Sequence, residues 1–124
     1  MSPQEIFQRY IHAGAMSRDP ERVAALFAED GVYEAPFARE GDVFPPRWSG
    51  RTAIRDGLAA AYQRMPPIEP VDTERTRFTL HLTADPDVFV AEIDTVFVSG
   101  ATMSLVQIFR LRDGLIHQLR DYFV

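Results

Sequence analysis

One carboxylate near the end of the chain occupies a position that favours chemistry. Residues 116–124 read IHQLRDYFV, and strand alternation places Asp121 on the same face as Leu119 and Phe123. A carboxylate between two large apolar side chains is paired, protonated or available to a ligand. The pattern predicts an occupied cavity at Asp121 without naming the occupant, and the alternative is a structural acid bonded to Tyr10, Gln107 or a buried water.

Two further acids are candidates to work with Asp121. Asp94 and Glu92 alternate with apolar residues and share a face with Val90 and Val96. If one of them faces Asp121, repulsion and burial would separate their proton affinities and give one acid and one base. The alternative is that both lie on a solvated or dimer-facing surface of the sheet.

Polar and sulfur-containing side chains accompany the next predicted strand. Gln107 shares its face with Met103, Leu105 and Phe109, so its amide must find hydrogen-bond partners inside the protein, either on a ligand or on other side chains. We therefore expect Gln107 and Met103 to contact the ligand. The amide of Gln107 cannot itself transfer a proton.

Aromatic residues complete the predicted pocket. Tyr33 shares a face with Ala35 and Phe37, which favours a pocket wall with a hydrogen-bonded hydroxyl, and Tyr10 is a similar candidate on the first helix. Trp48, in a proline-rich loop, is either the anchor of a lid over the cavity or a hydrophobic plug between the loop and the third helix. Phe37 is expected to contact the ligand.

Several classes of function are disfavoured by composition. The chain has no cysteine, and its three histidines lack the spacing of metal ligands. No glycine-rich nucleotide motif is present, so we expect no metal and no cofactor. The net charge of -5 argues against nucleic acid and anionic membranes, and a start without a secretory signal indicates a cytoplasmic protein. His81 alternates with polar residues and is predicted to be solvated or at an interface.

Capping signals predict three helices. Ser2-Pro3 and Asp19-Pro20 each pair an N-cap residue with proline at the first helical position. Thr52 is predicted to cap the third helix, which ends before Pro66-Pro67.

Strand signals dominate the second half. A brief strand at Val32–Ala35 is followed by a loop at Pro36–Gly50, and later segments alternate in strand fashion up to short turns. These segments are Arg75–Thr83, Val88–Ser99, Ala101–Arg112 and the strand that follows Asp113-Gly114. The order predicts one α+β domain over residues 1–124, with helices on one face of a bent antiparallel sheet.

Three segments carry a resemblance to a known family. They are LFAEDGVYEAP at 26–36, SGRTAIR at 49–55, and RDGLI continuing to RDYF between 112 and 123. Together they resemble the SnoaL-like branch of the nuclear transport factor 2-like (NTF2-like) superfamily. The resemblance implies a cone-shaped barrel, in which a curved antiparallel sheet packs against three N-terminal helices around a cavity, and commonly a homodimer.

The superfamily includes several catalysts, whose site positions can be compared with this chain. By resemblance to the steroid isomerases, Tyr10 matches an oxyanion-binding tyrosine and Gln107 falls at the neutral acid, but their general base falls on Ala35. By resemblance to limonene-type epoxide hydrolases, Asp121 matches the water-activating aspartate and Tyr33 a water-orienting tyrosine. Their asparagine again falls on Ala35.

The remaining comparison favours Asp121 alone. The second acid and the arginine of the epoxide hydrolases belong on the strand of Glu92 and Asp94, which has no arginine. By resemblance to SnoaL-type polyketide cyclases, Asp121 is the acid/base of an aldol closure, which requires fewer partners. We therefore expect the chain to bind a small, largely apolar molecule in an internal cavity and to act on it by cofactor-independent cyclase, isomerase or epoxide hydrolase chemistry with Asp121. The alternative is a non-catalytic ligand-binding or dimerisation module.

Overall fold

Helices and strands alternate early in the chain, and strands alone form its second half. The computed structural model describes residues 1–124. The helical elements are α1 (Pro3–Ile11), a π-helical turn (His12–Met16), α2 (Pro20–Ala25) and α3 (Arg51–Arg64). The strands are β1 (Phe27–Glu34), β2 (Arg47–Ser49), β3 (Arg77–Leu82), β4 (Val88–Val96), β5 (Thr102–Arg112) and β6 (Leu115–Tyr122).

The helix starts depend on different caps. Ser2 and Asp19 accept hydrogen bonds from backbone N–H groups in the first turns of α1 and α2, each with proline at the next position, as predicted. The prediction that Thr52 caps α3 is wrong, because the N-cap is Gly50, whose φ of 96° suits glycine. The N–H of Gly50 donates to the carbonyl of Gly31, which fixes the start of α3 against β1.

The sheet has the order β2-β1-β6-β5-β4-β3. Strands β3 to β6 form the predicted antiparallel meander. The expectation of a wholly antiparallel sheet is wrong, because β1 runs parallel to β6. The short strand β2, which was predicted as loop, extends the sheet beyond β1. The last strand in chain order therefore lies in the middle of the sheet.

All three helices contribute apolar side chains to one core against one face of the sheet. This inner face supplies fully buried residues from β4, β5 and β6, and the helices cover them with Ile6, Phe7, Val23, Ile54 and Leu58. The rings of Phe89 and Phe109 stack with centroids 4.6 Å apart, and Phe7 meets Phe109 edge-on. The predicted α+β layers are thus confirmed. None of these helices has the length and apolar character needed to span a membrane.

Candidate acid–base site

The centre of the inner face holds a group of three polar side chains. The hydroxyl of Tyr33 donates to Oδ2 of Asp121 at 2.7 Å, and Nε2 of Gln107 donates to Oδ1 of the same carboxylate at 3.3 Å. The exposed fraction of Asp121 is 8% and that of Gln107 is 5%. Both oxygens of a buried carboxylate are therefore held by donors.

Sheet register brings these residues together from three strands. Gln107 on β5 lies directly opposite Asp121 on β6, and Tyr33 on β1 lies beside Leu119, one pleat away on the same face. The contact between Tyr33 and Asp121 joins residues 88 positions apart in the chain. It depends on the parallel pairing of β1 with β6, which sequence alternation alone does not reveal.

Burial governs the proton affinities in the group. Burial raises the pKa of Asp121, and the hydrogen bonds from Tyr33 and Gln107 partly offset that rise. The pKa of Tyr33 is raised well above its usual value, first by burial and then by the neighbouring Asp121 carboxylate. Tyr33 therefore remains a hydrogen-bond donor, while Asp121 has the stronger basicity of a desolvated carboxylate.

Tyr10 approaches the same group from α1. Its ring packs edge-on against Phe109, with centroids 5.4 Å apart. Burial, followed by the charge of Asp121, raises the pKa of Tyr10 well above its usual value, so this hydroxyl also stays protonated. Gln107 lies close enough to lower the pKa of Tyr10 slightly, yet Oε1 of Gln107 has no hydrogen-bond partner.

Aromatic side chains cover Tyr33 on the side away from β5. The Trp48 ring lies 5.2 Å from that of Tyr33, and Phe44 packs against both rings and against Phe123. Trp48 also contacts α3 closely at Gly57, where a Cβ atom would lie only 2.2 Å from the indole ring. Trp48 therefore has the second predicted role, a plug between the loop and α3.

The inner face opens to solvent towards one end of β5. Along this face of the strand Gln107 is buried, Leu105 is partly buried and Met103 is 46% exposed. Phe78 on β3 is half exposed and packs edge-on against Phe7. This apolar surface leads from solvent towards Gln107 and Asp121, while an enclosed cavity remains a prediction.

The structure corrects three predicted positions. Asp94 and Glu92 are exposed on the outer face of β4, where Ser104 donates to Asp94 and His81 pairs with Glu92, so neither acid faces Asp121. The prediction failed because both faces of β4 carry apolar residues, which makes its alternation ambiguous. Phe37 is 63% exposed and packs against Tyr122 instead of following Tyr33 inward, because β1 ends at Glu34.

Two contributors were missed by sequence reasoning. Phe44 gave no signal, because the loop that carries it has no periodicity. Gly57 could have been noticed as an isolated glycine within a helical pattern, which often marks a close approach.

A separate cleft of about 680 Å³ opens on the surface beside Arg9, His12 and Arg22, but it includes no residue of the Asp121 group.

The combination of a helix-covered curved sheet and a buried aspartate on its central strand can be compared with known families. The profile of the family described as "SnoaL-like domain" matches residues 7–119, nearly the whole chain. The chain belongs to the SnoaL-like domain family. The resemblance found in the sequence is thereby confirmed.

This SnoaL-like chain has relatives in sequence and in structure. It is 29% identical over 120 residues to the uncharacterized protein YesE of Bacillus subtilis, covering 93% of this chain and 77% of YesE. A crystal structure of a "putative isomerase" from Bacillus subtilis superposes with a TM-score of 0.70 and 25% identity, covering 98% of this chain and 85% of the other.

A second solved structure shares the fold at lower identity. A "putative polyketide cyclase" from Xanthomonas campestris pv. campestris superposes with a TM-score of 0.65 and 21% identity, covering 98% of this chain and 89% of the other. Other neighbours have ketosteroid isomerase-like and NTF2-like folds. The NTF2-like fold is therefore shown, and the chemistry has to be argued from the site.

Proposed function

We propose that this SnoaL-like chain is a cofactor-independent acid–base catalyst that enolises a small, largely apolar carbonyl compound, as in a polyketide cyclase or an isomerase. The observation that carries the proposal is the buried Asp121 carboxylate, held by Tyr33 and Gln107 at the inner end of an apolar surface. Desolvation makes this carboxylate a better proton acceptor than a solvated one.

The proton transfer requires little beyond what the group supplies. In the proposed step the bond between the α-carbon and its hydrogen breaks, and an oxygen of Asp121 takes the proton. The electron pair delocalises onto the carbonyl oxygen, and the protonated Tyr10 hydroxyl donates a hydrogen bond to that developing charge. In a cyclase the enolate carbon then attacks an internal carbonyl, whose π electrons move to its oxygen, and Asp121 returns the proton to that alkoxide. In an isomerase the enolate regains the proton from Asp121 at another carbon.

The other reactions of the superfamily are less well supported by the residues present. Steroid isomerisation lacks its base, because Ala35 occupies that position and is 1% exposed in the core. Epoxide hydrolysis lacks its second acid, because Asp94 and Glu92 lie on the outer face. Both reactions need groups that the inner face does not supply, which favours chemistry with one carboxylate.

Hydrogen–deuterium exchange tests the proposal without knowledge of the natural substrate. The probe is 2-tetralone in D₂O, and NMR follows loss of the proton signal at the carbon between its carbonyl and its ring. We expect the chain to accelerate exchange over buffer, and Asp121→Asn to lower that acceleration by about 10²–10⁴-fold. Asp94→Asn is the matched control, expected within about twofold of the unmodified chain because Asp94 is exposed on the other face.

Each outcome of that experiment has a clear meaning. Equal exchange by the unmodified chain and Asp121→Asn would contradict the proposed role. Binding of 2-tetralone without accelerated exchange would favour the second candidate, a non-catalytic ligand-binding module. The occupation of the isomerase base position by Ala35 is the observation that favours this second candidate.

We also propose that two copies of the chain associate through the outer face of the sheet. No helix covers Val90, Val106 and Ile108 there, and the register of β4 and β5 places these three apolar side chains beside one another. A twofold axis through this apolar patch would bury it against the same patch of the second copy. Sedimentation equilibrium should give twice the 14.1 kDa chain mass, and Val106→Asp should reduce it to one chain. A monomeric unmodified chain would contradict this association.

A further inference from the structure

The side-chain oxygen of Gln107 is buried without a partner. Nε2 of this amide donates to Asp121 at 3.3 Å, whereas Oε1 forms no hydrogen bond. The residue is 5% exposed, so bulk solvent does not satisfy the oxygen. A buried carbonyl oxygen that lacks a donor is unfavourable, and such atoms merit a specific explanation.

The orientation of this amide is set by its neighbour. Turning it over would place Oε1 against the Asp121 carboxylate, where two acceptors would repel each other. Tyr33 already occupies the other carboxylate oxygen. Oε1 is therefore held as an acceptor directed away from Asp121, and reorientation cannot satisfy it while Asp121 is ionised.

The donor that Oε1 requires must come from outside the group. Tyr10 lies close enough to Gln107 for that side chain to lower the pKa of its hydroxyl, but this hydroxyl does not donate to Oε1. In the proposed reaction the Tyr10 hydroxyl is engaged with the carbonyl oxygen of the ligand. A ligand that also carries a hydroxyl beside that carbonyl would fill both needs at once, because a hydroxyl can donate to Oε1.

We infer that Gln107 determines specificity at this site by accepting a hydrogen bond from the ligand, so that the preferred substrate class is an apolar ketone with a hydroxyl on or next to the carbon deprotonated by Asp121. The ligand hydroxyl and the carbon deprotonated by Asp121 must lie close together, because the amide nitrogen of Gln107 bonds Asp121 and its oxygen is attached to the same carbon as that nitrogen. The inference rests on the proposed function for its reactive carbon, and on Oε1 of Gln107 for the hydroxyl.

Two ligands that differ in one hydrogen-bond donor test whether the site prefers a ligand with a hydroxyl. The probes are 2-hydroxyacetophenone and 2-methoxyacetophenone, because the ether keeps the carbonyl and both oxygens but cannot donate. Titration calorimetry should show that the unmodified chain binds the hydroxy ketone at least about tenfold more tightly than the ether. Equal dissociation constants, or no binding of the hydroxy ketone, would overturn the inference.

Two substitutions test whether Oε1 of Gln107 causes the preference for the hydroxy ketone. Gln107→Met keeps an unbranched side chain of similar length without the amide oxygen, and should bring the ratio of dissociation constants close to one. Gln107→Glu should retain the preference where it and Asp121 share one proton, because the carbonyl oxygen of the protonated acid still accepts. A ratio that survives in Gln107→Met would overturn the inference, and thermal unfolding of each variant verifies that it is folded.

This experiment can fail separately from the proposed function. Binding of the two ketones is measured as a dissociation constant and does not require turnover, whereas the proposed function is judged by deuterium exchange of 2-tetralone, which has no hydroxyl. A donor preference that disappears in Gln107→Met supports the assignment of Gln107 even when no exchange occurs. If exchange depends on Asp121 but the two ketones bind equally, Asp121 is supported as the base and the inference about Gln107 is contradicted.

Discussion

Asp121 on β6 and Asp94 on β4 flank the same strand, and each accepts a hydrogen bond from a polar side chain of β5 directly opposite it. Gln107 bonds Asp121 on the inner face, and Ser104 bonds Asp94 on the outer face. Burial raises the pKa of Asp121, while Asp94 remains exposed to solvent. Two carboxylates with the same kind of neighbour therefore lie in different environments, because helices cover one face of the sheet and not the other.

Loss of the Tyr33 hydroxyl should have the largest effect on stability. Tyr33→Phe leaves one oxygen of a buried carboxylate unpaired, so the free energy of unfolding should fall by about 2–3 kcal/mol. The pKa of Asp121 should rise further, because the hydrogen bond from Tyr33 lowers it. Urea unfolding measures the first effect, and the pH dependence of 2-tetralone exchange measures the second as an acidic limb displaced to higher pH.

The same chemical change on the outer face supplies the control. Tyr122 packs against Phe37 and beneath the guanidinium of Arg120, contacts that use its ring and not its hydroxyl. Tyr122→Phe should therefore change the free energy of unfolding by no more than about 0.5 kcal/mol. Comparable losses from both substitutions would contradict the contrast between the two faces.

The aromatic cover of the inner face can be disturbed at Gly57. In Gly57→Ala the new methyl group would overlap the Trp48 indole, so either the ring or α3 must move, at a cost of about 2 kcal/mol. Trp48 is the only tryptophan, and its fluorescence should report the displacement from Tyr33. Gly14→Ala is the control, since its Cβ would make ordinary contacts at 3.6 Å with Tyr62 and Val23. An unchanged emission spectrum in Gly57→Ala would contradict the packing described.

The charge on Asp121 should make stability depend on pH. The folded-state pKa of Asp121 is raised above the unfolded value near 3.8, so the ionised group destabilises the fold at neutral pH. That cost disappears as pH falls through the raised pKa towards the unfolded value. Asp121→Asn carries no charge, and its amide satisfies Oε1 of Gln107 once that side chain turns over.

Urea unfolding of Asp121→Asn and the unmodified chain across a pH series measures this cost. The variant should be more stable at about pH 7, by about 1.4 kcal/mol for each unit by which the pKa is raised, and the advantage should shrink towards about pH 4. An advantage that is constant with pH would show that the charge is not its cause.

The smallest effect is expected from the corresponding change on the outer face. Glu92→Gln removes a carboxylate whose partner, His81, is half exposed, so screening by water leaves little interaction to lose. Its stability should lie within about 0.5 kcal/mol of the unmodified chain at every pH of the same series. A pH-dependent gain like that expected for Asp121→Asn would remove the distinction between the faces.

The inward direction of Asp121 was predictable from sequence, because Leu119 and Phe123 flank it at strand spacing and the opposite face of β6 carries polar residues. The position of Asp94 was not, because β4 has apolar residues on both faces, and packing against the helices decides which face is buried. The contact of Tyr33 with Asp121 could not be predicted either, since parallel pairing of β1 and β6 is a long-range choice with no local signal. Strand β2 is three residues long and has no periodicity to detect.

The central place of β6 has a consequence for how the chain acquires its fold. Until this last strand in chain order docks, the sheet consists of two separate pieces, β2-β1 and β5-β4-β3, each with an unpaired edge. During synthesis on the ribosome β6 emerges after every other element, so neither piece can complete its strand pairing before β6 is available. Docking of β6 joins them and places the Asp121 carboxylate beside Tyr33 in the same event. Folding and assembly of the acid–base group should therefore show a single kinetic phase.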